Sequence, residues 1–468
     1  MDRARVKEEL YSRLGWISYD IPWLEEHNVE ARHRERRALY EELETFPSIS
    51  TDMLKPRHGP LSPGCFACRA GTWSCLFLNN RCNSNCFWCL RDRTPECDSL
   101  PSAHGLDFTN PEEYAVFLRR CGYNAVGFSG GEPLLSFRQL LDYTRTVRKR
   151  LGSGAWIWIY TNGILATAEK VSALAETGID EIRVDIAANG YDLAPLERIA
   201  GHVPVLTVEI PCLPEDESKL ERLLPTLQEI GVAHLHLHQL TANAGNVHKY
   251  LDRGYTFLHH PALTVLESEF AALRLLRRAA EWKLTMGVQI CTKPYKRWTQ
   301  GRSRRLRALQ HAGSTPALTT VTATGFLREL IVSSPADSVG EVGSWLRKRG
   351  NAALEWQRIG ESERFRVSWT ALTEDVQENL IFSIDYREPM VVNVNSKQVS
   401  GGGQAECGWT TQFIPAGGVQ MLTSEELHWL CNRIAGSRTD SMPESSDPST
   451  VPERLAPRET PDDSTDFF

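Results

Sequence analysis

Residues 72–89 read TWSCLFLNNRCNSNCFWC. The first half, Trp73–Asn79, has the short apolar run of a β-strand. The second half is a loop that carries Cys82, Cys86 and Cys89 at C-x3-C-x2-C spacing. Three thiolates this close can grip one iron–sulfur cubane. A cubane has four irons, so three ligands leave one iron open to an external molecule, much as an incompletely ligated zinc site is open to substrate. A zinc knuckle or three unrelated cysteines are the plainer readings of this spacing.

Downstream, strand candidates recur at Ala125–Ser129, Ala155–Thr161, Glu181–Ile186, Val203–Ile210 and Ala233–Leu240. Helix candidates lie between them at Pro111–Cys121, Ser136–Leu151, Leu165–Thr177, Tyr191–Ala200 and Glu215–Ile230. This alternation predicts parallel βαβ units joined right-handedly. With Trp73–Asn79 the count is six strands, so the expected fold is α/β, a partial (β/α)6 barrel over residues 61–312. Functional residues of such a barrel gather at the C-terminal ends of its strands. Phe128–Pro133, FSGGEP, sits at one such end. Paired glycines let backbone approach a ligand closely, and Glu132 offers a carboxylate to an ammonium.

Together the cysteine triad and the GGE run resemble the radical S-adenosylmethionine (SAM) superfamily. The resemblance covers about Gly64–Leu240. It implies that Cys82, Cys86 and Cys89 ligate a [4Fe–4S] cluster whose open iron is chelated by SAM. It also implies that Gly130, Gly131 and Glu132 contact the methionyl amine and that Trp88 lies near the adenine. Reductive cleavage of SAM, fed by an electron donor such as flavodoxin or ferredoxin, would supply a 5′-deoxyadenosyl radical that abstracts hydrogen from substrate.

Tyr160–Gly163, YTNG, closes the third strand and resembles the superfamily's frequent TNG. Asn162, Asp185 and Glu209 are thus candidates for binding SAM or substrate, against structural roles such as helix capping. His234, His236 and His238 alternate along the sixth strand and share one face. At the strand rise they spread over roughly 13 Å, too far for one ion. His236 and His238 are therefore read as catalytic candidates for substrate hydrogen bonding or proton transfer.

The chain has 12 cysteines, and seven fall between Cys65 and Cys97. Cys65, Cys68 and Cys75 precede the triad, and Cys65–Cys68 is a C-x2-C pair. With a distant fourth such as Cys97 they are candidates for a second iron–sulfur cluster or a metal ion. Packed or surface thiols are the alternative. The GCxxCxxG run over Gly64–Gly71 resembles one found in biotin-synthase-related members.

The composition, 468 residues with 41% hydrophobic and 24% charged, excludes a chain disordered throughout and a small disulfide scaffold. No apolar run reaches the roughly 18 residues of a membrane span. The net charge of −7 supplies no global field for nucleic acid. The opening MDRARVKEEL has no apolar h-region, which suggests a cytoplasmic protein with reduced cysteines. Residues 1–60 read as a helical extension, 313–436 as a small α+β domain ending in a helix N-capped by Ser424, and 437–468 as a disordered tail. The basic run Lys293, Lys296, Arg297, Arg302, Arg304, Arg305 and Arg307 reads first as a solvated helix face, with RNA, phosphate or an acidic partner as the other option.

The expected function is radical chemistry on a small polar metabolite, such as an aminosugar of antibiotic biosynthesis: dehydration or deoxygenation (a lyase outcome), epimerisation or decarboxylation. The alternatives are radical modification of a peptide or protein, cobalamin-assisted methyl transfer, or a non-enzymatic cysteine-rich module that binds RNA.

Overall fold

The computed structural model describes residues 20–430, except 52–54, 92–99, 259–261, 317, 335–340, 349–355, 360–363, 369–379, 395–407, 424–425 and 428–429. Cys97, Ser424 and the tail beyond 436 lie outside the described residues. The chain divides into two compact units at Gln300/Gly301. Among the described residues no helix is long and apolar enough to cross a membrane.

The first unit begins with helix α1, Glu26–Glu44, which is held by Arg36 to buried Glu269 at 2.7 Å. Helix α2, Pro63–Ala70, follows. Ser62 caps its start, and left-handed Gly71 ends it. Then come the parallel strands β1 Trp73–Phe77, β2 Ala125–Ser129, β3 Trp156–Thr161, β4 Glu181–Val184, β5 Val205–Pro211, β6 His234–His238 and β7 Gly287–Cys291. They lie side by side in chain order, without the reversal of a doubly wound sheet. The helices Pro111–Arg120, Phe137–Leu151, Ala168–Ala175, Ala194–Ile199, Glu217–Ile230 and Leu266–Glu281 intervene.

The pleat explains the sequence pattern. One face of the strands presents Leu76, Val126, Ile159, Ile182, Val208, Leu237 and Ile290, all buried apolar side chains. The alternate positions, including Cys75, Trp158, Arg183, Glu209, His236 and Cys291, line a common cavity. Because every strand contributes to that lining, the sheet is concave toward it.

Two expectations change here. The sheet has a seventh parallel strand, Gly287–Cys291, whose five buried residues pair with His234–His238. Its polar Gln289 interrupts the apolar run and hides it in the sequence. The end of the N-terminal extension is also sheet, not helix: Arg57–His58 pairs antiparallel with Val288–Gln289 and covers the sheet edge.

The second unit opens with helix Gly301–Ala312, which the sequence reading places with the first unit. Its strands β8 Leu327–Ser333, β9 Ile381–Val394 and β10 Gly408–Met421 pair antiparallel within a six-stranded sheet. Leu330, Val332, Phe382, Ile384 and Tyr386 pack with Trp345 of helix Glu341–Lys348 into one core. Glu426 N–H donates to Thr423 Oγ1 and Thr423 N–H to the Glu426 carboxylate, a reciprocal cap. The cap is thus Thr423, one residue before the expected Ser424. The basic run is not one solvated face either. Lys293 and Lys296 line the cavity of the first unit. In the second, Arg304 pairs with Glu388 at 2.7 Å and Arg305 donates to Thr324 O.

Candidate active site

The cysteine loop leaves the C-terminal end of β1, and Cys82, Cys86 and Cys89 are all half-buried and line the cavity. Its backbone and side chains are laced to three neighbouring strand ends and to Asn246. Gly131 N–H donates to Asn79 O at 2.9 Å and Glu132 N–H to Arg81 O at 2.7 Å. Asn162 Nδ2 donates to Asn83 Oδ1 at 2.7 Å, and Ser84 Oγ to Ala188 O at 2.9 Å. Asn246 Nδ2 reaches Cys89 O at 3.1 Å.

The two glycines are required by this lacing. Gly130 has φ +131, and a Cβ there would stand 2.5 Å from Asn79 O. A Cβ on Gly131 would stand 1.7 Å from Arg81 O. The GGE run and the cysteine loop therefore form one backbone unit.

Glu132 is 1% exposed. Its carboxylate accepts from Leu134 N–H, Thr161 Oγ1 at 2.8 Å and Asn162 N–H at 2.8 Å. Burial pushes this carboxyl up and the hydrogen bonds only partly oppose it. Three donors from within the chain occupy the carboxylate that the sequence offers to an ammonium, so in this structure it ties the GGE loop to the TNG turn. Asp185, at the end of β4, accepts from Ala188 N–H and from the side chain of Trp88. Burial raises it to about 6 against those hydrogen bonds.

Across the cavity, Glu209 is a hub. Its Oε2 accepts from Arg183 at 2.8 Å and from His236 Nδ1 at 2.9 Å. Its Oε1 accepts from His238 Nε2 at 2.9 Å. Burial would raise Glu209, but the His238 ring, the Arg183 guanidinium and the hydrogen bonds reverse this and hold it well below the carboxylate range. Arg183 also bonds Glu181 at 2.9 Å and lies over the Trp158 ring at 4.7 Å. Lys296 Nζ lies 2.9 Å from His238 Nδ1, the ring nitrogen that Glu209 does not take.

The His row thus separates by depth. His234 does not line the cavity, and burial with the neighbouring His236 lowers it to about 4. His236 is raised to about 9, because Cys65 and Glu209 outweigh its burial. His238 is the most exposed of the three.

The upstream cysteines take separate places. Cys65 Sγ lies 3.8 Å from His236 Nε2 and accepts from Gln289 Nε2 at 2.7 Å. Cys68 accepts from Gln300 at 3.3 Å. Cys75, on β1, is pushed up to about 12 by burial. Among the described residues no group of three His, Cys, Asp or Glu side chains is placed to hold a single metal ion. A cubane is a different case, since each thiolate meets its own iron. The triad fits one by its chemistry, three thiols on one loop at a cavity wall with a glycine cradle beside them. Sequence reading missed Arg183, Lys55 and Cys291, which also line the cavity.

Residues 76–203 match the Radical SAM superfamily. A Methanocaldococcus jannaschii protein that bears the name glycyl-radical enzyme activating enzyme is 24% identical over 307 residues, covering 63% of this chain and 80% of that one. The GTP 3′,8-cyclase 2 of Mycobacterium tuberculosis is 34% identical over 126 residues, 26% of this chain and 32% of the cyclase. The GTP 3′,8-cyclase of Erythrobacter litoralis is 27% identical over 125 residues, 36% of its length. The match thus spans about a third of those cyclases. Residues 76–203 of the chain thus carry a radical SAM domain.

Proposed function

We propose that this protein is a radical SAM enzyme acting on a small polar substrate held in the cavity that its strand ends enclose. One observation carries the reading. Cys82, Cys86, Cys89, Glu132, Asn162 and Asp185 share a cavity of about 610 Å³ with Glu209, His236 and His238. That volume is ordinary for a small-molecule site.

Cys82, Cys86 and Cys89 would hold a [4Fe–4S] cluster, which with bound SAM supplies a 5′-deoxyadenosyl radical. Gly130 and Gly131 bring backbone up to the cysteine loop, and Glu132 holds the glycine run in place as a positioning residue. Asn162, Asp185 and Trp88 face the cavity beside the triad, suited to SAM hydroxyls and adenine. Glu209, His236 and His238 form the polar wall that receives substrate, and His238 is the group best placed to pass a proton. A reductant such as flavodoxin or ferredoxin would supply the electron. Nothing in the polar wall selects an aminosugar, so the substrate reading stops at a small polar molecule.

A second reading, modification of a partner protein to a glycyl radical, is favoured by the long match to the M. jannaschii relative.

The test is anaerobic reconstitution with iron and sulfide, then reduction with dithionite in the presence of SAM. Wild type should bind iron and sulfide and release 5′-deoxyadenosine, and Cys82→Ala should do neither. A wild-type protein that takes up only zinc sinks both readings.

A further inference from the structure

We propose that Cys65 is a second reactive centre of the cavity, a nucleophilic thiol that adds reversibly to a carbonyl carbon of the substrate, with His236 as its base and Glu209 orienting that base. The proposal rests on the reading of this cavity as the substrate site and names the functional group the site takes.

The three residues come from separate elements. Cys65 lies in the first turn of helix α2, His236 in the middle of β6, and Glu209 in β5, directly opposite His236 in the strand register. Cys65 Sγ and His236 Nε2 form a hydrogen bond at 3.8 Å, and the other ring nitrogen, Nδ1, lies 2.9 Å from Glu209 Oε2. An ionised carboxylate only accepts, so Nδ1 carries a proton and Nε2 is left to take the proton of the thiol. Gln289, inward on β7, donates its amide N–H to the same sulfur at 2.7 Å, a bond that favours the sulfur when it is negative. A nucleophile bonded to a base that a third group orients is the arrangement that activates a weak nucleophile.

The surrounding charges agree with the geometry. Burial would raise the Cys65 thiol, but His236, Lys55 and Arg183 outweigh it and hold the thiol well below its ordinary range. Cys68, one turn further along the helix, lines the same cavity, yet it takes Gln300 as its partner and burial raises it. Among the described residues no set of three ligands exists for Cys65 to join around a metal ion.

Carbonyl addition uses what this pair holds. The thiol proton passes to His236 Nε2, and the sulfur pair forms the S–C bond. The C=O π pair moves to oxygen, which takes the proton back from His236. The product is a thiohemiacetal, formed with no oxidant, reductant or leaving group. Reversal restores the thiol on each turnover.

The experiment treats full-length protein, reconstituted with iron and sulfide but without SAM, with iodoacetamide under anaerobic conditions. Peptide mass spectrometry locates each alkylated cysteine. Exposure alone favours half-buried Cys68 over buried Cys65, whereas activation favours Cys65. Cys65 should react faster than Cys68 by about tenfold, and His236→Gln should slow Cys65 by about tenfold while leaving Cys68 within about twofold. A Cys65 rate no higher than that of Cys68, or one unchanged in His236→Gln, overturns the proposal. If circular dichroism shows that His236→Gln does not fold, the wild-type comparison of Cys65 with Cys68 carries the test. Acetaldehyde should protect Cys65 saturably and reversibly, and ethanol should not. Lack of protection overturns the carbonyl assignment. Borohydride that fixes acetaldehyde onto Lys55 or Lys296 gives the carbonyl to an amine and overturns it equally.

The two readings can fail separately, because alkylation reports one thiol and 5′-deoxyadenosine reports the cluster. An unreactive Cys65 in protein that forms 5′-deoxyadenosine leaves the functional reading standing. A reactive, aldehyde-protected Cys65 in protein that forms none keeps the thiol site and removes the radical chemistry.

Discussion

Gly131 and the carbonyl of Arg81 are so close that any side-chain carbon on the glycine would stand 1.7 Å from the oxygen. No rotamer relieves this, because both partners are backbone. Gly131→Ala must therefore push the GGE run away from the cysteine loop. Reconstituted Gly131→Ala should hold well under half of the wild-type iron and sulfide. Gly154→Ala, at an exposed position with nothing within 4 Å, should match wild type. Equal iron content in both variants would break the link drawn between the two motifs.

Glu132→Gln replaces an acceptor-only carboxylate with an amide whose NH2 must face a donor. Three donors converge on Glu132 and one would lose its acceptor. The expected loss is about 1–3 kcal/mol in chemical denaturation.

Glu209→Gln leaves Arg183 buried with half its counter-charge. Arg183 is 4% exposed, so water cannot replace the carboxylate. Breaking a buried pair from one side costs about 3–5 kcal/mol. We expect a lower denaturation midpoint or insoluble protein. His238→Gln, at a more open position, should leave the unfolding free energy within about 1 kcal/mol of wild type and lower substrate turnover instead.

His234 gives a pH dependence of definite sign. Its folded value is about 4 against an ordinary 6.5. Between these values the unfolded chain binds more protons than the folded one, so stability falls as pH drops from 6.5 toward 4. The contribution lost is on the order of 3 kcal/mol. His236 is displaced the other way, to about 9, so its own effect lies above this window. His234→Asn should flatten the acid limb of a stability–pH profile. An unchanged slope between pH 6.5 and 4 would contradict the depressed value.

The cysteine loop was legible because its demands are local. Cysteine spacing and glycine need only neighbours in sequence, and Cys82, Cys86, Cys89 and Gly131 do line one cavity. The period of two likewise put His236 and His238 on one face. Strand β7 was not legible, since GVQIC carries Gln289 at an inward position and lacks a clean apolar pattern.

By itself the sequence determined the alternation of strands and helices, the cysteine-bearing loop and the glycines that let it pack, because each depends on backbone conformation and near neighbours. Only the tertiary structure decided that Glu132 faces inward and that Glu209 gathers Arg183, His236 and His238. Those partners come from separate strands and loops, and electrostatic pairing acts through space, so only the curvature of the sheet brings them within reach of one another.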